Sequence, residues 1–226
     1  MLTIEDLRVN VMGKPVLRGV SAELAPGSFT ATFGHNGAGK TTLLRAIMGL
    51  WSPAGGRIAL DGKDITGWET PKIVEAGIGL VPQTRGTFDT LTVEENLGFA
   101  HRADSKIGYA DIYRLFPILK ERKRQIVQTM SGGQRQMVAV ANALMSGPRL
   151  LLLDEPSGGL APAVVDDLMR ALRSINEEYG ITILLVEQNV RKAAALADSV
   201  LVINQGTVAY SGDAQKALEG NVWELL

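Results

Sequence analysis

The sequence predicts an α/β fold with a parallel central sheet, an antiparallel β part at the N-terminus and an inserted helical part. Residues 3–9 and 16–24 alternate apolar and polar side chains, as in adjacent half-buried strands. Residues 85–145 carry mostly helical patterns. In the last third, continuous apolar runs alternate with helical patterns, which is typical of a parallel sheet covered on both faces. We expect residues 1–226 to form a single domain.

The remaining elements follow from periodicity and turn residues. Residues 12–15 are expected to turn between the first two strands, and residues 28–33 form a short buried strand. A helix begins at Lys40, and Gly180 ends a later helix. Apolar residues expected on one face of the first helix are Leu43, Leu44, Ile47 and Leu50. Further helices are predicted at 134–145, 163–179 and 190–197, and further strands at 78–81, 150–153, 181–186, 200–203 and 206–210.

Composition excludes several classes of protein. The formal net charge of the 226 residues is −1, so the chain lacks the basic surface of a nucleic-acid binder. With no cysteine, disulfides, thiolate metal sites and cysteine nucleophiles are excluded. Residues 1–6 do not resemble a secretory signal, and no apolar stretch reaches the roughly 20 residues that span a bilayer. Any membrane function is therefore expected to come from docking onto another protein.

A glycine-rich loop is the strongest functional signal. Its pattern G-x-x-x-x-G-K-[ST] is read in Gly34-His35-Asn36-Gly37-Ala38-Gly39-Lys40-Thr41. The loop lies between a buried strand and a helix, where backbone N–H groups and the positive helix end face the same anion. Lys40 can reach the β- and γ-phosphates, and the Thr41 hydroxyl can bind Mg²⁺. Residues 34–42, which include Thr42, are expected to bind a nucleotide.

Two acidic residues, Asp154 and Glu155, end the apolar run at 150–153. In a phosphate-loop fold such a strand is expected to lie beside the loop, with its carboxyl end at the nucleotide. Asp154 would then hold Mg²⁺ through water, and Glu155 would act as the general base toward the attacking water. Together with the phosphate loop, this pair predicts a nucleoside triphosphatase.

A third motif indicates the family. The run Met130-Ser131-Gly132-Gly133-Gln134-Arg135-Gln136 resembles the signature motif of ATP-binding cassette (ABC) proteins. Ser131 can cap the following helix, and the glycines expose backbone N–H groups. One nucleotide cannot easily use both anion sites of one chain. The resemblance implies a head-to-tail dimer, in which Ser131, Gly132, Gly133 and Gln134 cover the partner's ATP.

Gln83 resembles the glutamine that in this family senses the γ-phosphate and Mg²⁺ and couples them to the membrane subunit. The resemblance therefore implies ATP and Mg²⁺ as ligands, with Thr41, Gln83 and Asp154 at the metal. It covers nearly the whole chain. It also implies a RecA-like core with the β subdomain at 1–84 and 146–226, and a helical subdomain at 85–145.

Three segments resemble one branch of the family, the LivF-type ATPases of branched-chain amino acid importers. They are residues 88–97, 154–162 and 184–189. The resemblance implies a peripheral subunit at the cytoplasmic face of the cell membrane. Its partners would be transmembrane permease subunits and a second ATPase, in a heterodimer or a homodimer, and indirectly a solute-binding protein. Relatives of this branch import urea and other amides, so the cargo stays open.

Three positions depart from the general family pattern. Gln188 stands where most members have a histidine that contacts the γ-phosphate. It is expected to keep that contact through an uncharged amide hydrogen bond, with weaker stabilisation of the transition state. Met12 stands where an aromatic side chain usually stacks on adenine. Ala161 replaces an aspartate that helps communication across the dimer, which fits an asymmetric heterodimer.

Four other classes of nucleotide-binding protein differ from this sequence in specific features. A DNA-repair or chromosome ABC protein needs a long coiled coil, but only about a hundred residues separate Gly34 from Ser131. An ABC translation factor has two cassettes, and a GTPase needs an Asn-Lys-x-Asp motif that is absent here. A nucleotide-binding regulatory subunit with little turnover is compatible with Gln188 and Met12, whereas Glu155 favours hydrolysis.

Overall fold

The computed structural model describes residues 1–84, 86–220 and 222, and within them the chain forms two β-sheets with helices on both sides. The strands are β1 Leu2–Val11, β2 Lys14–Leu24, β3 Phe29–Phe33, β4 Gly55–Leu60, β5 Lys63–Asp64, β6 Ile78–Val81, β7 Leu150–Asp154, β8 Thr182–Val186, β9 Ser199–Asn204 and β10 Thr207–Asp213. The helices are α1 Lys40–Ile47, α2 Thr70–Glu75, α3 Val93–Ala100, α4 Tyr109–Leu115, α5 Pro117–Glu121, α6 Gly132–Met145, α7 Pro162–Tyr179, α8 Val190–Ala194 and α9 Ala214–Glu219.

The larger sheet has the strand order β10-β9-β3-β8-β7-β6. Its inner pairs are all parallel, and β10 adds an antiparallel edge to β9. The carboxyl ends of β3, β6, β7 and β8 therefore meet at one edge of the sheet, where ligands of open α/β sheets bind. The structure confirms the predicted α/β class.

The apolar run of β7 is buried because the sheet is covered on both faces. Leu151 and Leu153 belong to one core, which contains residues of α6 and α7. Leu150 and Leu152 belong to the other core, which contains residues of α1 and of the small sheet. Since successive side chains of a strand point to opposite faces, a strand between two cores has no polar face.

The smaller sheet is antiparallel, with the order β2-β1-β4-β5. The hairpin of β1 and β2 was predicted, but its turn contains only Met12 and Gly13, so both strands are longer than expected. Strands β4 and β5 were not predicted. The first of these begins with Gly55-Gly56, residues that disfavour strands, and pairs with β1 across about fifty residues of sequence.

Four α-helices, α3 to α6, and a 3₁₀ turn at Val127–Thr129 lie between β6 and β7. The first of these helices begins with a capping box, in which the Glu95 N–H donates to the Thr92 hydroxyl and the Thr92 N–H donates to the Glu95 carboxylate. Buried Val93 and Leu97 join this part to the core that contains α6. None of the helices in the part of the chain that the structure describes has the length and apolar character needed to cross a bilayer.

Two predictions about elements were wrong in detail. Leu50 does not extend the apolar face of α1, because α1 ends at Ile47 and Leu50 is 52% exposed. Gly49 makes this turn with φ of 69°, close to the backbone of Trp68. Helix α8 ends at Ala194 and not at residue 197.

The end of α7 is tied to the sheet by Asn176, which is buried. Its amide nitrogen donates hydrogen bonds to the carbonyls of Gly27 at 2.8 Å and Ile181 at 2.9 Å. Gly180, with φ of 66°, ends α7 as predicted, so the chain turns directly into β8. The side chain of Asn176 thus joins the loops that precede β3 and β8.

We predict that Asn176→Ala lowers the free energy of unfolding by about 1–3 kcal/mol, because it leaves the two carbonyls without their buried donor. Urea denaturation followed by circular dichroism measures the change. The matched control is Arg170→Ala on the exposed face of α7, which should change stability by less than about 0.5 kcal/mol. Equal effects of the two variants would contradict the prediction.

Candidate nucleotide-binding site

The predicted phosphate loop connects β3 to α1 at the carboxyl edge of the larger sheet. Two of its glycines lie where a side chain does not fit. A Cβ on Gly34, whose φ is 151°, would lie 2.1 Å from the carbonyl oxygen of Ile203. A Cβ on Gly39, whose φ is 112°, would lie 2.7 Å from the Leu17 side chain. The loop is therefore packed between the end of β9 and β2, with the N-terminus of α1 directly behind it.

Lys40, the first residue of α1, is buried beside the loop. Its ammonium donates to the carbonyls of Gly34 at 2.6 Å and His35 at 3.1 Å. It also lies 4.0 Å from Glu155 Oε1. Burial lowers the pKa of Lys40, and the carboxylates of Glu155 and Asp154 oppose that shift. The loop thus holds a cation next to the carboxylate pair at the end of β7.

Asp154 and Thr41 form the candidate metal position. The Thr41 hydroxyl donates to Asp154 Oδ1 at 3.0 Å. Burial raises the pKa of Asp154, and the hydrogen bond from Thr41 opposes that shift. No group of three or more His, Cys, Asp or Glu side chains suited to a metal occurs in the described ranges. The adjacent hydroxyl and carboxylate oxygens fit Mg²⁺, which takes few protein ligands and completes its shell with phosphate and water.

Glu155 is the centre of a cluster of polar side chains. Its Oε2 accepts hydrogen bonds from the amide nitrogens of Gln83 at 2.9 Å and Gln188 at 2.7 Å. The backbone of Glu155 has φ of 46°, in the left-handed region that residues other than glycine rarely adopt. Its N–H donates to the Val186 carbonyl at 2.9 Å. Strained backbone at a polar cluster is common in catalytic sites. Two predicted residues, Gln83 and Gln188, thus converge from separate strands on the carboxylate of a third, Glu155.

A cavity of about 500 Å³ opens in front of this cluster. Val11 and Val16 of the β1–β2 hairpin also line it. Met12 is 92% exposed at the tip of the hairpin and is not one of the lining residues. The other lining residues are Asn36, Gly37, Gly39, Lys40, Thr41, Thr42, Gln83, Glu155 and Gln188. Ala38, also in the loop, is buried.

The signature residues begin α6 and lie outside this cavity. The Gln134 N–H donates to the Ser131 hydroxyl at 3.3 Å, and the Ser131 N–H donates to the Gln134 side chain at 3.1 Å. Gly133 is buried against α7, where a Cβ would lie 2.6 Å from Val164. Ser131 and Gln134 line a different cavity, between α5 and α7. Within the described chain, the signature residues and the phosphate loop therefore do not share a cavity.

Two amide side chains, of buried Asn96 and half-buried Asn142, hold the segment that follows Gln83. Asn96 of α3 accepts from the Phe88 N–H at 2.8 Å and donates to the Phe88 carbonyl at 3.0 Å. Asn142 of α6 donates to the Gly86 carbonyl at 3.4 Å. This segment is thereby tied to the helix that begins with the signature residues.

Several residues of the site were not predicted. Val11 and Val16 line the cavity, but they lie in the alternating pattern of an ordinary hairpin. Buried Glu187 accepts hydrogen bonds from Ser157, and its position directly after a buried apolar strand is the same signal that identified Asp154. Ala161 directly precedes α7 and gives the helix no side-chain cap.

Comparison with known proteins identifies the family. Residues 17–158 match the ABC transporter family, so the chain belongs to it. It is 42% identical over 196 residues to the high-affinity branched-chain amino acid transport ATP-binding protein BraG of Pseudomonas aeruginosa, covering 85% of this chain and 84% of that protein. It is 37% identical over 230 residues to the probable branched-chain amino acid transport ATP-binding protein LivF of Archaeoglobus fulgidus, covering 100% and 98%.

A solved structure of an ATP-binding cassette has the same fold as this chain. The ADP conformation of an ATP-binding cassette of an ABC transporter superposes with a TM-score of 0.84 at 26% identity, covering 100% of this chain and 97% of that one. The predicted family, fold class and activity are therefore confirmed. The protein is a nucleotide-binding subunit of an ABC transporter, and it hydrolyses ATP.

We predict that Gly133→Ala destabilises the protein by about 1–3 kcal/mol, because the added methyl group must displace Val164 in the contact of α6 with α7. Gly132→Ala is the matched control, since its Cβ would meet only Leu160 at 4.0 Å. Thermal unfolding of both variants measures the difference. Equal melting temperatures for the two variants would show that the contact does not require glycine.

Proposed function

We propose that this chain is the ATP-hydrolysing motor subunit of an ABC importer for branched-chain amino acids. The observation that carries the ATPase site is the Glu155 carboxylate, which accepts two amide hydrogen bonds beside the phosphate loop. The substrate class rests on the similarity to BraG and LivF, which are named as branched-chain amino acid transport proteins. Residues 1–226 would act as one ABC ATPase domain, with residues 85–145 as its helical subdomain.

The proposed ATP site contains residues 34–42. Backbone N–H groups of the loop and of the first turn of α1 bind the phosphates, and Lys40 neutralises the β- and γ-phosphates. Mg²⁺, bound by Thr41, Asp154 and Gln83, would neutralise the charge that develops on the phosphate oxygens. The apolar side chains of Val11 and Val16, with Met12 at the tip of the hairpin, would contact the base.

Glu155 is proposed as the general base. It accepts a proton from the attacking water, whose oxygen forms a bond to the γ-phosphorus while the bond to the ADP oxygen breaks. Gln83 and Gln188 hold the carboxylate through their amide nitrogens, at 2.9 and 2.7 Å. Both donors are uncharged amides, so they orient the Glu155 carboxylate without adding a positive charge beside it.

A second ATPase subunit is proposed as the dimer partner. The signature residues Ser131 to Gln134 lie outside the cavity of their own phosphate loop, so they are available to the ATP of another subunit. Ala161 gives α7 no side-chain cap and removes a carboxylate from this region. We favour a non-identical partner for this reason, with a homodimer as the alternative.

Transmembrane permease subunits are the second class of partner. The aromatic rings of Phe88 and Phe99 pack 5.5 Å apart, and their side chains are 56% and 73% exposed. This apolar surface lies next to the segment that follows Gln83, so a permease seated there would respond to changes at Glu155. The subunit would thus act at the cytoplasmic face of the membrane, and a solute-binding protein would deliver the cargo to the permeases.

Uptake into vesicles that contain the complete transporter tests this function. We expect ATP-dependent accumulation of leucine, lost with Lys40→Ala and retained with the surface control Lys216→Ala on α9. Labelled urea is measured in parallel. ATP-dependent uptake of urea without leucine would contradict the proposed cargo, and uptake independent of ATP would contradict the motor function.

We predict that Gln188→Ala lowers kcat for ATP about tenfold or more, because Glu155 loses one of its two amide donors. The KM for ATP should change little, since Gln188 donates to Glu155 and not to the phosphate loop. Steady-state phosphate release measures both constants. An unchanged kcat would show that Gln188 does not position the base.

We predict weak selectivity between ATP and GTP, because a methionine thioether packs on a purine ring less well than an aromatic side chain. Met12→Tyr should strengthen binding of ATP. Fluorescence competition with both nucleotides, for the original protein and this variant, measures the dissociation constants. A strong preference of the original protein for ATP would contradict the prediction.

A further inference from the structure

Glu187, the residue after β8, carries a buried carboxylate that the ATPase mechanism does not use. It is 2% exposed. None of the ion pairs formed by described residues includes it. Burying a carboxylate without a cation is costly unless hydrogen bonds replace the lost water. Hydrogen bonds must therefore stabilise the buried Glu187 carboxylate in place of a cation.

Three donors converge on this carboxylate. The Ser157 N–H donates to Oε1 at 3.0 Å, the Ser157 hydroxyl donates to Oε2 at 2.7 Å, and the Gln188 N–H donates to Oε2 at 3.1 Å. Two of the donors are backbone N–H groups, which cannot reverse their direction. The site therefore needs a group that only accepts, which an ionised carboxylate is and an amide is not.

The donors belong to two segments that leave the catalytic cluster. Ser157 begins the turn after Glu155, and Gln188 donates its side chain to Glu155 at 2.7 Å. Beyond Ser157, the same segment reaches the start of α6, where Leu160 lies near Gly132 and Val164 near Gly133. One carboxylate thus fixes the backbone of Gln188 against the segment that contacts the signature residues.

We propose that Glu187 is a positioning residue for ATP hydrolysis, which holds Gln188 and the 157–161 segment in fixed relation to Glu155. It acts through these neighbours and does not touch the nucleotide. The proposal rests on the proposed function, in which Gln188 orients the Glu155 base. Loss of Glu187 lowers kcat and leaves ATP binding by the phosphate loop unchanged.

The test compares Glu187→Gln, Glu187→Ala and Ser157→Ala in the chain of residues 1–226, with the partner ATPase present in the activity assays. Glu187→Gln keeps the size of the side chain but turns an N–H group toward at least one backbone N–H donor. Asn176→Ala is the control, because it removes a buried hydrogen-bonding side chain far along α7 from the cluster. Phosphate release gives kcat and KM, and hydrogen–deuterium exchange follows the backbone amides of Ser157 and Gln188 without nucleotide.

We expect kcat to fall about tenfold or more in Glu187→Gln and further in Glu187→Ala, with KM for ATP changed less than about twofold. Both amides should exchange faster in these two variants and at the original rate in Asn176→Ala. Combining Ser157→Ala with Glu187→Ala should cost less in kcat than the two single losses together, because both substitutions remove the hydrogen bond between the Ser157 hydroxyl and Glu187.

Two results would overturn the proposal. One is a Glu187→Gln variant with the original kcat, because a side chain that only fills space would be replaced by glutamine without loss. The other is unchanged exchange at Ser157 and Gln188. If the original protein shows no ATP turnover with its partner ATPase present, the proposed function fails, and the exchange rates still decide whether Glu187 holds the two segments.

Discussion

The structure depends on the meeting of parallel strand ends at one edge of the larger sheet. Strand β3 leads into the phosphate loop, β7 ends in Asp154 and Glu155, β6 leads to Gln83, and β8 leads to Glu187 and Gln188. These residues are far apart in sequence. Only the shared register of the parallel strands brings two amides within 2.9 Å of one carboxylate. The chemistry at Glu155 is therefore a consequence of the sheet topology.

Packing on both faces of the larger sheet fixes the register of the strands that end at this edge. Alternate leucines of β7 enter two separate cores, so the strand cannot shift by one residue without exchanging the cores its side chains occupy. The β1–β2 hairpin contacts the loop at Gly39, and the end of β9 contacts it at Gly34. We expect a phosphate site that is packed in this way to lose little conformational entropy when a nucleotide binds.

Motifs with fixed spacing made much of this site predictable. The phosphate loop, the strand ending in Asp154 and the family fold could be inferred because each depends on local sequence. Strands β4 and β5 could not, since their pairing is non-local and Gly55-Gly56 opposes it. Neither could the partners of Glu187, because hydrogen bonds across thirty residues are set by strand order. Leu50 was misplaced because helical periodicity does not show where Gly49 ends the helix.

The central claim is that Glu155 is the general base of the ATPase. The most direct measurement is Mg²⁺-ATP turnover of the protein and of Glu155→Gln, with ATP binding measured on the same samples and with the partner ATPase present. The account predicts that the variant binds ATP as tightly as the original protein and releases no phosphate above background. A variant that hydrolyses ATP at the original rate would contradict it.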